Sequence, residues 1–223
     1  MSNMKSNSVA LPKIILVDDH LIFRQGVKSL ISLENLGVVV GEASNGVDFL
    51  NLLQDTSPDI VLMDINMPEM DGMKASEEAL KLLPDLKIII FTMCAEEDFY
   101  HKTVDIGIKG FILKSSGINE LEKALRDVML GETYFSNELL RKIISNFGKS
   151  SDEKSPEKSL LTDREIEVLQ HICLGLTTEE IGEKLFISPK TVKIHRSNLL
   201  DKTKSKNTPE MILFALRNKI IQL

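Results

Sequence analysis

Ile60-Val61-Leu62-Met63-Asp64-Ile65-Asn66-Met67-Pro68-Glu69-Met70-Asp71-Gly72 begins as a short apolar run, ends that run on a carboxylate and breaks into a loop punctuated by proline and glycine. An apolar run of this length bounded by turn signals is the pattern of a buried strand. Asp64 then stands where a buried strand meets solvent, a place that hosts chemistry rather than packing. Comparable runs flank it at Lys13–Val17, Val38–Glu42, Lys87–Phe91 and Gly110–Leu113. Stretches of helical length and period lie between them, over about 21–33, 46–54, 73–83, 97–106 and 117–130. Five strands alternating with five helices predict an α/β domain, a five-stranded parallel, doubly wound sheet covered on both faces.

The residues that terminate these strands form an ordered set. The first strand ends on Asp18-Asp19, the third on Asp64, the fourth on Thr92 and the fifth on Lys114. Parallel strands bring all of them to one edge. Three carboxylates gathered there repel one another without a cation, and an oxygen-rich cluster suits Mg2+. A lysine beside it can hold a phosphate as a point charge, and a threonine hydroxyl can donate to a phosphate oxygen. Together they suit formation of an aspartyl phosphate. Singly, each residue fits an ordinary solvated sheet edge. The ordered set on four strand ends is what points to a site.

These residues resemble the receiver domain of two-component response regulators. The resemblance rests on Leu16-Val17-Asp18-Asp19-His20, Met63-Asp64 through Gly72, Phe91-Thr92 and Gly110-Phe111-Ile112-Leu113-Lys114, and covers about 13–130. It implies a flavodoxin-like fold in which Asp64 takes a phosphoryl group from a phosphohistidine on a sensor histidine kinase. It further implies that Asp18, Asp19, Asp64 and the main-chain carbonyl of Asn66 hold Mg2+, and that Lys114 and Thr92 bind the phosphoryl oxygens. Thr92 would move toward the phosphate and Phe111 turn inward, changing the face made by the helix over 97–106, the fifth strand and the helix over 117–130. Ser115 stands where many receivers have proline after the lysine. Cys94, two residues past Thr92, reads as a small buried side chain ahead of a redox sensor. Asp64-Ile65-Asn66 also resembles the Asp-x-Asp start of haloacid-dehalogenase-type phosphatases. An asparagine amide cannot serve as the general acid and base those enzymes need.

A further helix is expected over about 136–147, after the Gly131 break, and residues 148–159 are polar without period, a linker. Three helix starts follow. Thr162-Asp163-Arg164-Glu165 and Thr177-Thr178-Glu179-Glu180 have capping-box spacing, and Ser188-Pro189 puts a capping hydroxyl before a first-turn proline. Thr208-Pro209 starts a fourth helix. The second and third are short and tightly joined at Phe186-Ile187, the helix-turn-helix arrangement. From Lys184 to Lys206 there are seven basic residues against one acid, Asp201, inside a chain of net charge −6. Such a patch suits phosphate contact. At about 100° per residue, Val192 and Leu199 mark the buried side of the third helix, while Lys190, Lys193, Ile194 and Ser197 fall on the opposite arc, able to reach a major groove. Thr191, Arg196 and Lys202 complete the predicted DNA-contact set. His195 lies nearer the buried side, which favours a structural hydrogen bond over base reading.

This second part, about 160–221, resembles the LuxR-type helix-turn-helix domain through Leu161–Leu169 and Ile187–Arg196. A receiver joined to it is the architecture of the NarL/FixJ family. The resemblance implies double-stranded promoter DNA as ligand, a homodimer when active with Met211, Ile212 and Ala215 in the dimer contact on DNA, and an unphosphorylated receiver that masks the reading helix. The expected organisation is a disordered N-terminus (1–12), a receiver (13–131), an extra helix and linker (132–159) and an all-α four-helix DNA-binding domain (160–223). Residues 1–12 lack a signal-peptide core, and no apolar run reaches the roughly 18 residues of a membrane span. The two cysteines lie far apart, so a disulfide framework is not expected. The sequence therefore predicts a cytoplasmic regulator that promotes its own phosphorylation and dephosphorylation without being a turnover enzyme. The alternatives are a receiver-type phosphatase or phosphate sink, and a regulator that works without phosphate.

Overall fold

The computed structural model describes residues 11–93, 106–136, 140, 161–218 and 220. The helix expected over 97–106 (apart from Ile106), Cys94, nearly all of the extra helix and the 148–159 linker lie outside the described residues. Six strands form one parallel sheet: β1 (Lys13–Val17), β2 (Val38–Ala43), β3 (Ile60–Met63), β4 (Lys87–Thr92), β5 (Gly110–Leu113) and β6 (Tyr134–Phe135), in the order β2-β1-β3-β4-β5-β6. The receiver helices among the described residues are α1 (Leu21–Leu33), α2 (Gly46–Asp55), α3 (Gly72–Leu82) and α4 (Ile118–Met129). Alternate strand residues point to opposite faces. Ile14, Leu16, Leu62, Ile89 and Ile112 pack with Val27 and Ile31 of α1 and Leu121 and Leu125 of α4. Ile15, Val17, Val61, Met63 and Ile90 pack with Phe49 of α2 and Met73 and Ala79 of α3. The sheet is doubly wound, as expected.

The sixth strand was not expected. Gly131 turns the chain back at φ +85°, and Tyr134 N–H then donates to the Lys109 carbonyl at 2.9 Å while Ser136 N–H donates to the Phe111 carbonyl at 3.1 Å. Two residues carry no readable period, so sequence pattern is silent here.

The C-terminal domain has four helices: α5 (Asp163–Cys173), α6 (Thr178–Leu185), α7 (Pro189–Thr203) and α8 (Thr208–Arg217). Both capping boxes form, Thr162 with Glu165 and Thr177 with Glu180. Ser188 caps α7 by accepting from Thr191 N–H. The cap of α8 is Asn207, which accepts from Glu210 N–H at 3.0 Å, leaving the Thr208 hydroxyl for other partners.

Gly72 shows how tightly the β3–α3 loop folds back on the strand end. A Cβ there would lie 1.8 Å from the Asp64 carbonyl oxygen, a backbone atom with little room to yield. At Gly26, exposed within α1, a Cβ meets nothing within 4 Å. Gly72→Ala should therefore cost about 3 kcal/mol in urea unfolding, whereas Gly26→Ala should add about 0.5–1 kcal/mol. Equal effects at the two glycines would contradict this packing.

Candidate functional site

Four strand ends converge at the carboxyl edge of the sheet. Asp18 and Asp64 are buried, and Asp19 and His20 lie at the rim. Asp64 is fixed from two sides: its Oδ1 accepts from the Ile65 N–H at 2.7 Å, and its Oδ2 accepts from Lys114 Nζ at 2.6 Å. The same ammonium reaches Asp18 Oδ2 at 2.7 Å, and the Lys114 side chain is only 2 % exposed. Asp18 Oδ1 accepts from the His20 N–H at 2.9 Å, and the His20 ring contacts Asp19 at 2.7 Å. Arg24, in the first turn of α1, donates to the Asp18 carbonyl and to Glu42 at the end of β2. Sequence pattern missed Arg24. The only signal was a basic residue one turn into the helix after the paired acids.

One buried ammonium does not neutralise three carboxylates. Ligand atoms of Asp18, Asp19, His20 and Asp64 all lie within 4.8 Å of one another, a mostly oxygen donor set that fits a hard divalent cation. Thr92 ends β4 fully buried, and its hydroxyl has no hydrogen-bond partner among the described residues. Such an orphan costs about 1–3 kcal/mol and asks for an acceptor. Phe111 is already completely buried, packed with the α2/α3 side of the sheet. The inward turn expected of it has no outward starting position in this arrangement. The Lys114–Ser115 peptide is trans.

Along α7, Val192 and Leu199 are fully buried, as the helical phase predicts. Lys190, Ile194 and Ser197 are exposed, while the Thr191 hydroxyl is engaged with Ser188 at 2.8 Å. The remaining predicted contacts are occupied. Lys193 pairs with Glu132 of the receiver at 2.9 Å. Arg196 donates to Thr208 at 3.1 Å, and the Thr208 hydroxyl meets Thr133 of the receiver at 3.0 Å. Lys202 turns away toward Glu165 on α5, at 2.8 Å. His195 Nδ1 is buried without a partner, so the structural hydrogen bond expected there is not made at that atom. Met211, Ile212 and Ala215 are 0 % exposed, because α8 packs on α5 and α7 and against β6. They offer no free dimer face in this arrangement. A cleft of about 420 Å3 remains between the domains, edged by Glu120, Lys123, Asp127, Thr177 and Arg196. Burial pushes the Asp127 carboxyl above its ordinary pKa.

Comparison with known proteins finds two families along the chain. Residues 14–126 match the response regulator receiver domain, and residues 159–215 match the bacterial regulatory proteins of the luxR family. The chain is 35 % identical to the transcriptional regulatory protein YxjL of Bacillus subtilis, over 94 % of this chain and 97 % of that protein. It is 34 % identical to the oxygen regulatory protein NreC of Staphylococcus aureus, over 94 % and 99 %. Among solved structures, the response regulator ChrA of a heme-sensing two-component system superposes with a TM-score of 0.53 at 28 % identity, covering 96 % of this chain and all of that one.

Glu165 ties the first helix of the C-terminal domain to α7. Burial alone would raise its pKa, but the Lys202 ammonium and the Thr162 N–H and hydroxyl outweigh burial and hold it below the ordinary value. The stability it contributes is present above the unfolded-state pKa of about 4.3 and is lost as pH falls through the lower folded value. Glu165→Gln should be less stable than the native chain at pH 7 by about 1–2 kcal/mol, with the gap closing below about pH 4. Parallel urea-stability curves across this pH range would contradict the assignment.

Proposed function

The chain belongs to the NarL/FixJ family of two-component response regulators, a receiver domain joined to a LuxR-type helix-turn-helix domain, and on that premise we propose that it is a transcription regulator switched at Asp64. The observation that carries the reading is the shared ammonium of Lys114 between Asp64 and Asp18, beside the orphaned hydroxyl of Thr92. A carboxylate oxygen of Asp64 attacks the phosphorus of a phosphohistidine on a sensor histidine kinase. The P–O bond forms as the P–N bond breaks, and the imidazole leaves with the electron pair. Lys114 exchanges a carboxylate oxygen for a phosphoryl oxygen, and Thr92 donates to another. Asp18, Asp19, Asp64 and the Asn66 carbonyl would hold Mg2+, which supplies positive charge for the carboxylates and the phosphoryl oxygens. The switching reaction is the chain's own modification, not turnover of an external substrate, and partners of this kind place the protein in the cytoplasm.

The receiver contacts of α7 and α8 support an unphosphorylated form that masks its DNA-binding surface. Lys193 would otherwise face the major groove, and α8 would supply the dimer contact once it leaves β6. Lys123–Glu179 at 3.4 Å adds a second ion pair across the interface. These half-exposed pairs are each worth at most about 1 kcal/mol, weak enough for a local event at Asp64 to release them. In the open dimer, two reading helices bind adjacent half-sites, and the second contact becomes intramolecular.

The test is DNA binding by the full chain, using a duplex selected from a random pool. Beryllofluoride with Mg2+ should tighten binding at least about tenfold, and affinity should fall steeply with salt. Glu132→Ala combined with Thr133→Val should raise the affinity of the untreated chain about threefold. Salt-insensitive binding, or affinity unchanged by both treatments, would sink the reading.

A further inference from the structure

Lys114 is a nearly buried cation whose environment the carboxylates only partly explain. Its ammonium has three N–H donors, and Asp64 and Asp18 each take one, at 2.6 and 2.7 Å. On the remaining side lies the ring of Phe23, its centroid 4.7 Å from Nζ. Phe23 is half-buried, although its α1 neighbour Ile22 is 86 % exposed. Two features fix it there. Its ring packs on Phe91 with centroids 5.4 Å apart and planes tilted by 50°. The next residue, Arg24, pins the start of α1 to the Asp18 carbonyl and Glu42.

We propose that Phe23 is a positioning residue for phosphoryl binding, acting through the ammonium of Lys114. This rests on the reading of Asp64 as phosphoacceptor. During transfer, Lys114 gives up a carboxylate oxygen for a phosphoryl oxygen, so its ammonium must shift within a pocket that admits almost no water. A hydrogen-bond acceptor on the third side would hold it by a directed lone pair. An aromatic face attracts the cation through its quadrupole, over the breadth of the ring. The ring therefore keeps the ammonium dry and centred while its oxygen partners change. Phe23, Asp18, Asp64 and Phe91 also wall a void of only about 10 Å3, room for about one water.

The experiment separates ring electrostatics from ring volume. In the full chain, Phe23 is replaced by phenylalanines bearing one, three and five ring fluorines, which drain the face of negative charge with little change of shape. Initial phosphorylation by acetyl phosphate and Mg2+ is followed by intact mass, alongside Tm. The rate should fall stepwise with fluorine number, by about tenfold at the end of the series, with Tm flat. Phe23→Tyr should retain most of the rate, and Phe23→Leu should lose it as the heavily fluorinated rings do. A rate independent of fluorination overturns the proposal and leaves Phe23 as packing alone. An unsubstituted chain that takes up no phosphoryl group overturns instead the reading of Asp64, and this inference with it.

Discussion

The structure turns on one buried charge arrangement, the Lys114 ammonium held between Asp18 and Asp64 at the carboxyl edge of the sheet. Removing these three groups from water is costly, and only close, well-directed pairing offsets it. The parallel sheet supplies that geometry. It brings the end of β1, the end of β3 and the residue after β5 to one edge, although they are far apart in sequence. Close fitting finishes the job: the Ile65 N–H orients Asp64, and Gly72 lets the following loop fold onto the strand end without a side chain in the way.

The C-terminal domain is attached by interactions of a different kind. Within it, α8 is bound by apolar packing, with Met211, Ile212 and Ala215 wholly buried. Across to the receiver, ion pairs and hydroxyl bridges surround a polar cleft, and α8 adds apolar contact with β6. Strand β6 lies between the two regimes. Ser136 bonds to the Phe111 carbonyl, and a few residues upstream Glu132 and Thr133 hold α7 and α8. β6 thus joins the edge of β5 to the receiver contacts made on α7 and α8.

Much of this was legible in the sequence because it is local or periodic. The strand cores and α1 fall where the hydrophobic pattern puts them, and the capping boxes at Thr162 and Thr177 form as their spacing requires. The acid, hydroxyl and lysine at the strand ends could be gathered on one edge because parallel strands share a direction. What stayed hidden was short or non-local. Two-residue β6 has no period. Glu132, Thr133 and Phe23 look like ordinary surface or core residues until the fold sets them beside Lys193, Thr208 and Lys114. Lys202 counted toward a basic patch, and only the packing of α5 on α7 reveals that Glu165 claims it. The burial of α8 is completed by β6 of the receiver lying beside it, which no local pattern encodes.

The most direct measurement of the central claim is intact mass of the full chain after incubation with acetyl phosphate and Mg2+, beside Asp64→Asn. One added phosphoryl group is expected on the native chain and none on the variant. A group added to both would move the acceptor elsewhere. No group on either, together with no Mg2+-dependent beryllofluoride complex, would contradict a phosphorylation switch at Asp64.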